Sequence, residues 1–266
     1  MADEAAAPVA GPVGAAAAEP ILEVQGLSKR FGALRAVDVV SLAFAAGRVH
    51  ALIGPNGAGK STFLNLLSGE LRADEGSVRF RGRDVTRASP DRLSRLGLGR
   101  SFQTASVLAE LTVHESLRLA AQSRLPSSMR FFRPAERHSE TNAQADRALQ
   151  ACRLTARRSE KAKHLSYGEQ RQLELGMMLA TSPRLLLLDE PLAGLGHDEA
   201  LGIVDLLREV AKGHTLILVE HDMDAVFSLA DAVTVLVDGR VLETGAPGQI
   251  RKSAKVREAY LGEEEP

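Results

Sequence analysis

The sequence predicts an α/β fold, with an N-terminal antiparallel β subdomain and an inserted α-helical subdomain. Three observations predict it. A glycine-rich loop, Gly54-Pro55-Asn56-Gly57-Ala58-Gly59-Lys60-Ser61-Thr62, stands between a strand-like run and a helix-like run. The later runs Leu185–Leu188 and Thr215–Val219 are apolar on both faces, as central parallel strands are. Between about residues 104 and 180 the pattern is helical and shows no strand signal.

The elements follow in order. Residues 1–19 are rich in Ala, Pro and Gly and predict a disordered tail. The stretch starts acidic and lacks a basic n-region, which makes it a poor secretion signal. Ile21–Leu27 alternates as a strand, Ser28–Gly32 reads as a turn, and Val39–Phe44 reads as a second strand. Ala46-Gly47-Arg48 turns the chain into Val49–Ile53, the strand before the loop. Phe63–Leu67 is the helix after it, and Gly76–Gly82 is a further strand. Leu98–Gln103 is a short connecting segment. Thr112 and Glu115 form a capping box for a helix over Val113–Ala121. Arg124–Ser139 is irregular and basic, with Phe131 and Phe132 in its middle. Asn142–Leu154 is helical again. Asp198–Ala211 is an amphipathic helix with Ile203, Leu206, Leu207 and Val210 on one face. Val233–Val237 and Arg240–Thr244 are joined by Asp238-Gly239, a hairpin turn. A last helix ends near Leu261, and residues 263–266 form an acidic tip. The folded domain therefore spans 20–262.

Composition narrows the function. The chain has 266 residues, 44% of them hydrophobic, and a net charge of −1. That size suits one large α/β domain or two small ones. Near-neutral charge and 4% aromatic content with no Trp argue against a nucleic-acid surface. The single cysteine, Cys152, excludes an intrachain disulfide, fits a reducing compartment and reads as a small buried side chain. No apolar run approaches the roughly 20 residues of a membrane span, so work at a membrane would need another chain as anchor.

The loop fits G-x-x-x-x-G-K-S/T, the phosphate-binding pattern that marks a P-loop NTPase core. Its glycines let backbone N–H groups curl around an anion, Lys60 adds a point positive charge, and Ser61 offers a hydroxyl to Mg2+. The helix that follows directs its positive end at the same anion. The loop alone says only that a nucleotide binds; hydrolysis also needs a metal ligand and a base for water. Asp189 ends the apolar strand Leu185–Leu188, in the position of a magnesium-coordinating carboxylate. Glu190 is one residue on, points another way, and can take the proton of water.

Leu165-Ser166-Tyr167-Gly168-Glu169-Gln170, just upstream of that strand, resembles the signature sequence of ATP-binding cassette (ABC) proteins, commonly Leu-Ser-Gly-Gly-Gln. The loop, Gln103, this signature, Asp189-Glu190 and His221 stand in the family's order, over about residues 20 to 262. The resemblance implies an ABC-type fold and a set of roles. Phe31 would stack on adenine in place of the family's usual tyrosine, unless it is a core residue of the small sheet. Gln103 would touch Mg2+ and the attacking water and link the site to the helical block. His221 would contact the γ-phosphate and Glu190. Ser166, Gly168 and Glu169 would meet the γ-phosphate held by a second ABC ATPase subunit, two ATP molecules being sandwiched head to tail. Ser166 and Glu169 also have the spacing of a capping box, which leaves a helix N-terminus open to an anion.

Two departures stand out. Tyr167 and Glu169 replace Gly and Gln, and Glu169 is expected to weaken the sandwich by its charge. Gly196 stands where many cassettes have an Asp that couples the two sites, with Asp198 the nearest acid to replace it. Arg100–Thr104, Glu110–Val113, Val219–Met223 and Ala259–Glu263 look like the ATPases of branched-chain amino acid importers. Urea, amide and organic-acid importers share much of this pattern, and the ATPase of lipopolysaccharide export ends similarly. The resemblance implies a peripheral subunit on the cytoplasmic face of the inner or plasma membrane. It would pair with itself or a different ATPase subunit, receive a coupling helix from integral membrane permease subunits, and serve a solute-binding protein indirectly. Phe131 and Phe132 suit either that permease contact or packing within the helical block. Nucleic acid is not expected as a partner.

Overall fold

The computed structural model describes residues 20–101, 107–124 and 139–261. The chain forms two compact units that divide between Leu93 and Ser94 and between His214 and Thr215. The predicted tail, the acidic tip, Gln103, Phe131 and Phe132 lie outside the described residues.

In the first unit an antiparallel sheet has the order β2-β1-β4-β5, built from β1 (Pro20–Phe31), β2 (Leu34–Ala45), β4 (Glu75–Phe80) and β5 (Arg83–Asp84). The expected turn at Ser28–Gly32 is a correction. The strand runs on to Phe31, and the turn is Gly32-Ala33. Lys29, Arg30 and Phe31 pair with Val37, Arg35 and Leu34, so even the polar Lys29 and Arg30 belong to the ladder. Asp74 holds them there, accepting from Lys29 Nζ at 2.8 Å and from the Arg30 N–H at 2.7 Å. Register shifts near Gly26 and Lys29 break the alternation that a strand normally shows in sequence.

Strand β3 (Val49–Ile53) runs parallel to β8 (Thr215–Val219) on one side and β9 (Ala232–Val237) on the other. Strand β10 (Arg240–Gly245) pairs antiparallel with β9. Their turn has φ of 49° at Asp238 and 74° at Gly239, the left-handed pair that a tight two-residue hairpin requires. All five residues of β8 are buried, as its unbroken apolar run predicts. Helix α1 (Lys60–Leu67) buries Phe63, Leu64, Leu66 and Leu67. A second cluster joins Ala51, Ile53, Val233 and Val235 to Val226 of α7 (Met223–Leu229), Ile250 of α8 (Pro247–Ile250) and Val256 of α9 (Ala254–Leu261).

The division between Leu93 and Ser94 falls within α2 (Pro90–Leu96), a helix the sequence pattern did not reveal. The segment read as a connector contains a true strand, β6 (Leu98–Arg100), parallel to β7 (Leu185–Asp189). Three residues are too few to show a period, and β6 exists because β7 offers it a ladder. Helices α3 (Val113–Gln122), α4 (Ser139–Ala151) and α5 (Tyr167–Ala180) share one core of Leu117, Ala145, Leu149, Cys152 and Leu173, among others. Gly176 lets α5 approach closely: a Cβ there would lie 2.7 Å from Cys152 Sγ. The predicted capping box of α3 is present, Glu115 Oε2 accepting from the Thr112 N–H at 2.8 Å. Helix α6 (His197–Ala211) buries the four residues expected of it, and Val204 besides. Among the described residues no helix is long and apolar enough to cross a membrane.

Candidate active site

The phosphate-binding loop follows β3 and opens α1 in the first unit. Two of its glycines are dictated by close backbone approaches. Gly54 has φ of 151°, and a Cβ on it would lie 2.0 Å from Leu236 O. Gly59 has φ of 93°, and its Cβ would lie 2.0 Å from Ala36 O. Any side chain at either place would force the loop off β9 or off β2. The β9–β10 hairpin closes the same wall: Gly239 N–H donates to Ala58 O at 3.1 Å, and Asp38 N–H donates to Gly239 O at 2.8 Å. Arg240 Nη2 and Nε reach Asp38 Oδ2 at 2.6 and 2.8 Å, and Arg35 Nη1 reaches Oδ1 at 3.0 Å. The Arg240 bond, joined by that of Arg35, holds the Asp38 carboxyl below its usual range, against a burial effect of opposite sign.

Lys60 Nζ arches back over the loop, donating to Gly54 O at 2.5 Å and Pro55 O at 2.8 Å. Ser61 and Thr62 stand beside it in the first turn of α1. Asn56 and Gly57 form the loop's tip, and Ala58 is buried. The glycine-shaped loop thus brings one ammonium to a helix N-terminus, an arrangement that fits a polyphosphate. Phe31 ends β1 with 47% of its surface exposed and Lys29 Nζ 5.7 Å from its ring centroid. It is therefore not a core residue of the small sheet and is open for stacking.

His221 follows β8 with its side chain 70% exposed. The loop it stands on is fixed from beneath by Glu220, a buried acid that accepts from the His221 N–H at 3.1 Å. Asp222 then caps α7, accepting from the Ala225 N–H at 3.0 Å.

In the second unit Asp189 ends β7 and is buried. Its N–H donates to Ser101 Oγ at 3.1 Å, and Arg100 Nη2 lies 3.8 Å from its Oδ2. Both stand in the Arg100–Thr104 run that carries the resemblance, but the sequence assigns neither a role beside Asp189, because both come from the short strand and its exit that the pattern hides. Glu190 has φ of 49°. A left-handed non-glycine residue costs on the order of 1 kcal/mol, and such strain collects at functional sites. It turns the chain at once after β7, which ends at Asp189. Gln103, the expected link to the helical block, lies outside the described residues.

The signature forms a complete capping box at the head of α5. Glu169 N–H donates to Ser166 Oγ at 3.2 Å, and Ser166 N–H donates to Glu169 Oε2 at 2.9 Å. Arg157 Nε donates to Glu169 Oε1 at 2.8 Å. Burial alone would raise the Glu169 carboxyl, but the Ser166 N–H and Arg157 together bring it below its usual range. Tyr167 packs its ring against Gly194, where an added Cβ would come within 3.2 Å. Arg171 donates to the Tyr167 hydroxyl at 2.9 Å. Gly196 N–H donates to Glu199 Oε2 at 3.4 Å, so Glu199 rather than the exposed Asp198 serves this turn. Gly196-x-x-Glu199 is a helix-start spacing, yet glycine at its head concealed it.

A family model described as "ABC transporter" matches residues 37–193, more than half of the chain. The chain belongs to the ABC transporter family. The end of the cassette, residues 240–266, matches a second model, "Branched-chain amino acid ATP-binding cassette transporter". The high-affinity branched-chain amino acid transport ATP-binding protein BraF of Pseudomonas aeruginosa is 39% identical over 251 residues, covering 92% of this chain and 98% of its own. Its counterpart LivG of Escherichia coli K12 is 36% identical over 253 residues, covering 92% and 99%. Among solved structures, a nucleotide-free ATP-binding cassette from an ABC transporter superposes with a TM-score of 0.81 at 33% identity, covering 92% of this chain and all of that one. The ADP conformation of the cassette MJ1267 gives 0.82 at 33% identity, covering 92% and 99%. The α/β architecture with an antiparallel sheet and a helical block is thus the ABC ATPase fold.

The cassette's candidate metal donors are a hydroxyl, Ser61, and a carboxylate, Asp189, with the amide of Gln103. Hard oxygens of this kind suit Mg2+. Among the described residues no group of three or more His, Cys, Asp or Glu could hold a metal.

Proposed function

We propose that this chain is the ATP-hydrolysing subunit of an importer for branched-chain amino acids. The phosphate loop carries the nucleotide-binding half of the reading: Gly54 and Gly59 can only be glycine, and Lys60 spans the cradle they shape. Hydrolysis is supported by membership of the ABC transporter family. The solute is supported by the similarity to BraF and LivG over nearly the full chain and by the matching C-terminal segment.

In this reading the backbone of Gly54–Ser61 and the Lys60 ammonium hold the β- and γ-phosphates of ATP, and Phe31 stacks on adenine. Ser61, Asp189 and Gln103 would hold Mg2+, and the ion would supply charge stabilisation for the transferred phosphoryl group. Glu190 orients a water for in-line attack on the γ-phosphorus and takes its proton, while the bond to the ADP oxygen breaks. His221 contacts the γ-phosphate. Ser166, Gly168 and Glu169 complete the site on a second ATPase subunit, identical or related, and permease subunits receive the motion at the cytoplasmic face.

The test is leucine uptake into vesicles that hold the matching permeases and binding protein, driven by internal ATP. Uptake by the native chain and its loss in Lys60→Ala are expected. ATP turnover without uptake of any branched-chain amino acid would overturn the solute, and lack of ATP turnover would overturn the enzyme.

A further inference from the structure

Glu199 lies in the first turn of α6, but its carboxylate serves two places at once. Oε2 accepts from the Gly196 N–H at 3.4 Å. Oε1 accepts from Ser166 Oγ at 3.3 Å and from the Gly168 N–H at 3.2 Å. Those last two donors belong to the head of α5, the end that carries a partial positive charge. Space for the carboxylate exists only because residue 168 has no side chain: a Cβ there would lie 2.8 Å from Glu199 Oε1.

We propose that Glu199 is a positioning residue that occupies the head of the signature helix until the γ-phosphate of ATP on a second copy of the chain displaces it. This rests on the two-subunit site proposed above. The physical reason is exclusivity. Ser166 has one O–H and Gly168 one N–H, so an acceptor that takes them leaves none for another. Carboxylate and phosphate are also both anions, so they repel at that distance. Once displaced, Glu199 keeps its bond to Gly196, and the arrival of phosphate at α5 is felt in the Gly194–Gly196 turn. The cassette has no acid at 196, and Glu199 supplies the link from outside that turn.

The experiment uses the full chain in a hydrolysis-dead Glu190→Gln background. Light scattering gives the MgATP concentration for half-maximal dimer, and a fluorescent ATP analogue at low protein concentration gives the affinity of the single subunit. Glu199→Gln keeps the shape and an acceptor oxygen but not the charge, and a neutral acceptor holds these donors less tightly. The ratio of the two concentrations is expected to fall about three- to tenfold. Glu199→Ala should shift it the same way while lowering Tm, because the Gly196 bond is lost. Easier association is a gain that a purely structural residue would not give. An unchanged or increased ratio in Glu199→Gln overturns the role of Glu199 alone. A parent that stays monomeric at saturating MgATP overturns the paired site and this inference together.

Discussion

Arg157 Nε stands 2.8 Å from Glu169 Oε1. The acid that replaces the common glutamine of the signature therefore has its charge compensated by a neighbouring guanidinium. Its other oxygen is taken by the Ser166 N–H. To the sequence-based expectation that Glu169 weakens the sandwich by its charge, the structure adds this guanidinium, so the charge at this corner is that of a pair. Arg157→Ala leaves Glu169 uncovered and should raise the ATP needed for dimerisation about two- to fivefold, as befits a part-exposed pair. Glu169→Gln, which keeps the capping box and frees a guanidinium, should lower it by a similar factor. Light scattering in the Glu190→Gln background measures both, and shifts of the same sign would show that the pair is not what sets the local charge.

Glu190→Gln should bind ATP with native affinity and lose turnover by at least about a hundredfold, the usual worth of a general base. Steady-state phosphate release and nucleotide binding separate the two. A Glu190→Gly variant would relax the backbone strain at φ 49° while still lacking the base. It should be as inactive as Glu190→Gln, though no less stable.

The Asp38–Arg240 contact braces the wall behind the phosphate loop through Gly239 and Ala58. Arg240→Ala should lower Tm and weaken ATP binding about two- to fivefold, with turnover at saturating ATP little changed. Calorimetry and nucleotide titration check this, and a loss of turnover without loss of affinity would contradict it.

The environment of His50 disfavours its charged form. Burial lowers the pKa of its imidazole, against the opposing bond to Ala45 O. Above the unfolded pKa, near 6.5, neither state binds the proton. Below it the unfolded chain gains a proton that the folded chain refuses, so stability falls as pH drops. Tm should decline between pH 7.5 and 5.5 more steeply in the native chain than in His50→Gln. Parallel curves would exclude His50 as a source of acid sensitivity.

Cys152 is buried and its thiol is pushed up to about 12, chiefly by burial. It should resist alkylation at neutral pH for as long as the chain is folded and react fully in denaturant. Gly176→Ala, whose Cβ would meet Cys152 Sγ at 2.7 Å, should cost about 1–3 kcal/mol by overpacking and expose the thiol at lower denaturant concentration. Mass spectrometry after timed alkylation reads both.

Much of this molecule was legible because local chemistry and global fold agree. The strand before the phosphate loop, the apolar strand before Asp189, the two capping boxes and the Asp238-Gly239 turn each announce themselves in a few residues. What stayed hidden depends on partners distant in sequence. Strand β6 is three residues that become a strand only beside β7. The continuation of β1 through Lys29 and Arg30 needs Asp74, some 44 residues away. Glycine at 54 and 59 was expected from the motif, but the carbonyls of Leu236 and Ala36 that enforce it were not. Glu199 was passed over for Asp198 because sequence spacing does not say which of two neighbouring acids turns inward.

The sealed sulfhydryl at 152 has a practical corollary. Since the chain carries no other cysteine, it is a silent background for bioconjugation without any prior removal of native residues. A single reporter introduced by Leu34→Cys, at a position 67% exposed, would carry dye in one defined place, and energy transfer between two labelled copies could follow their approach and separation in real time.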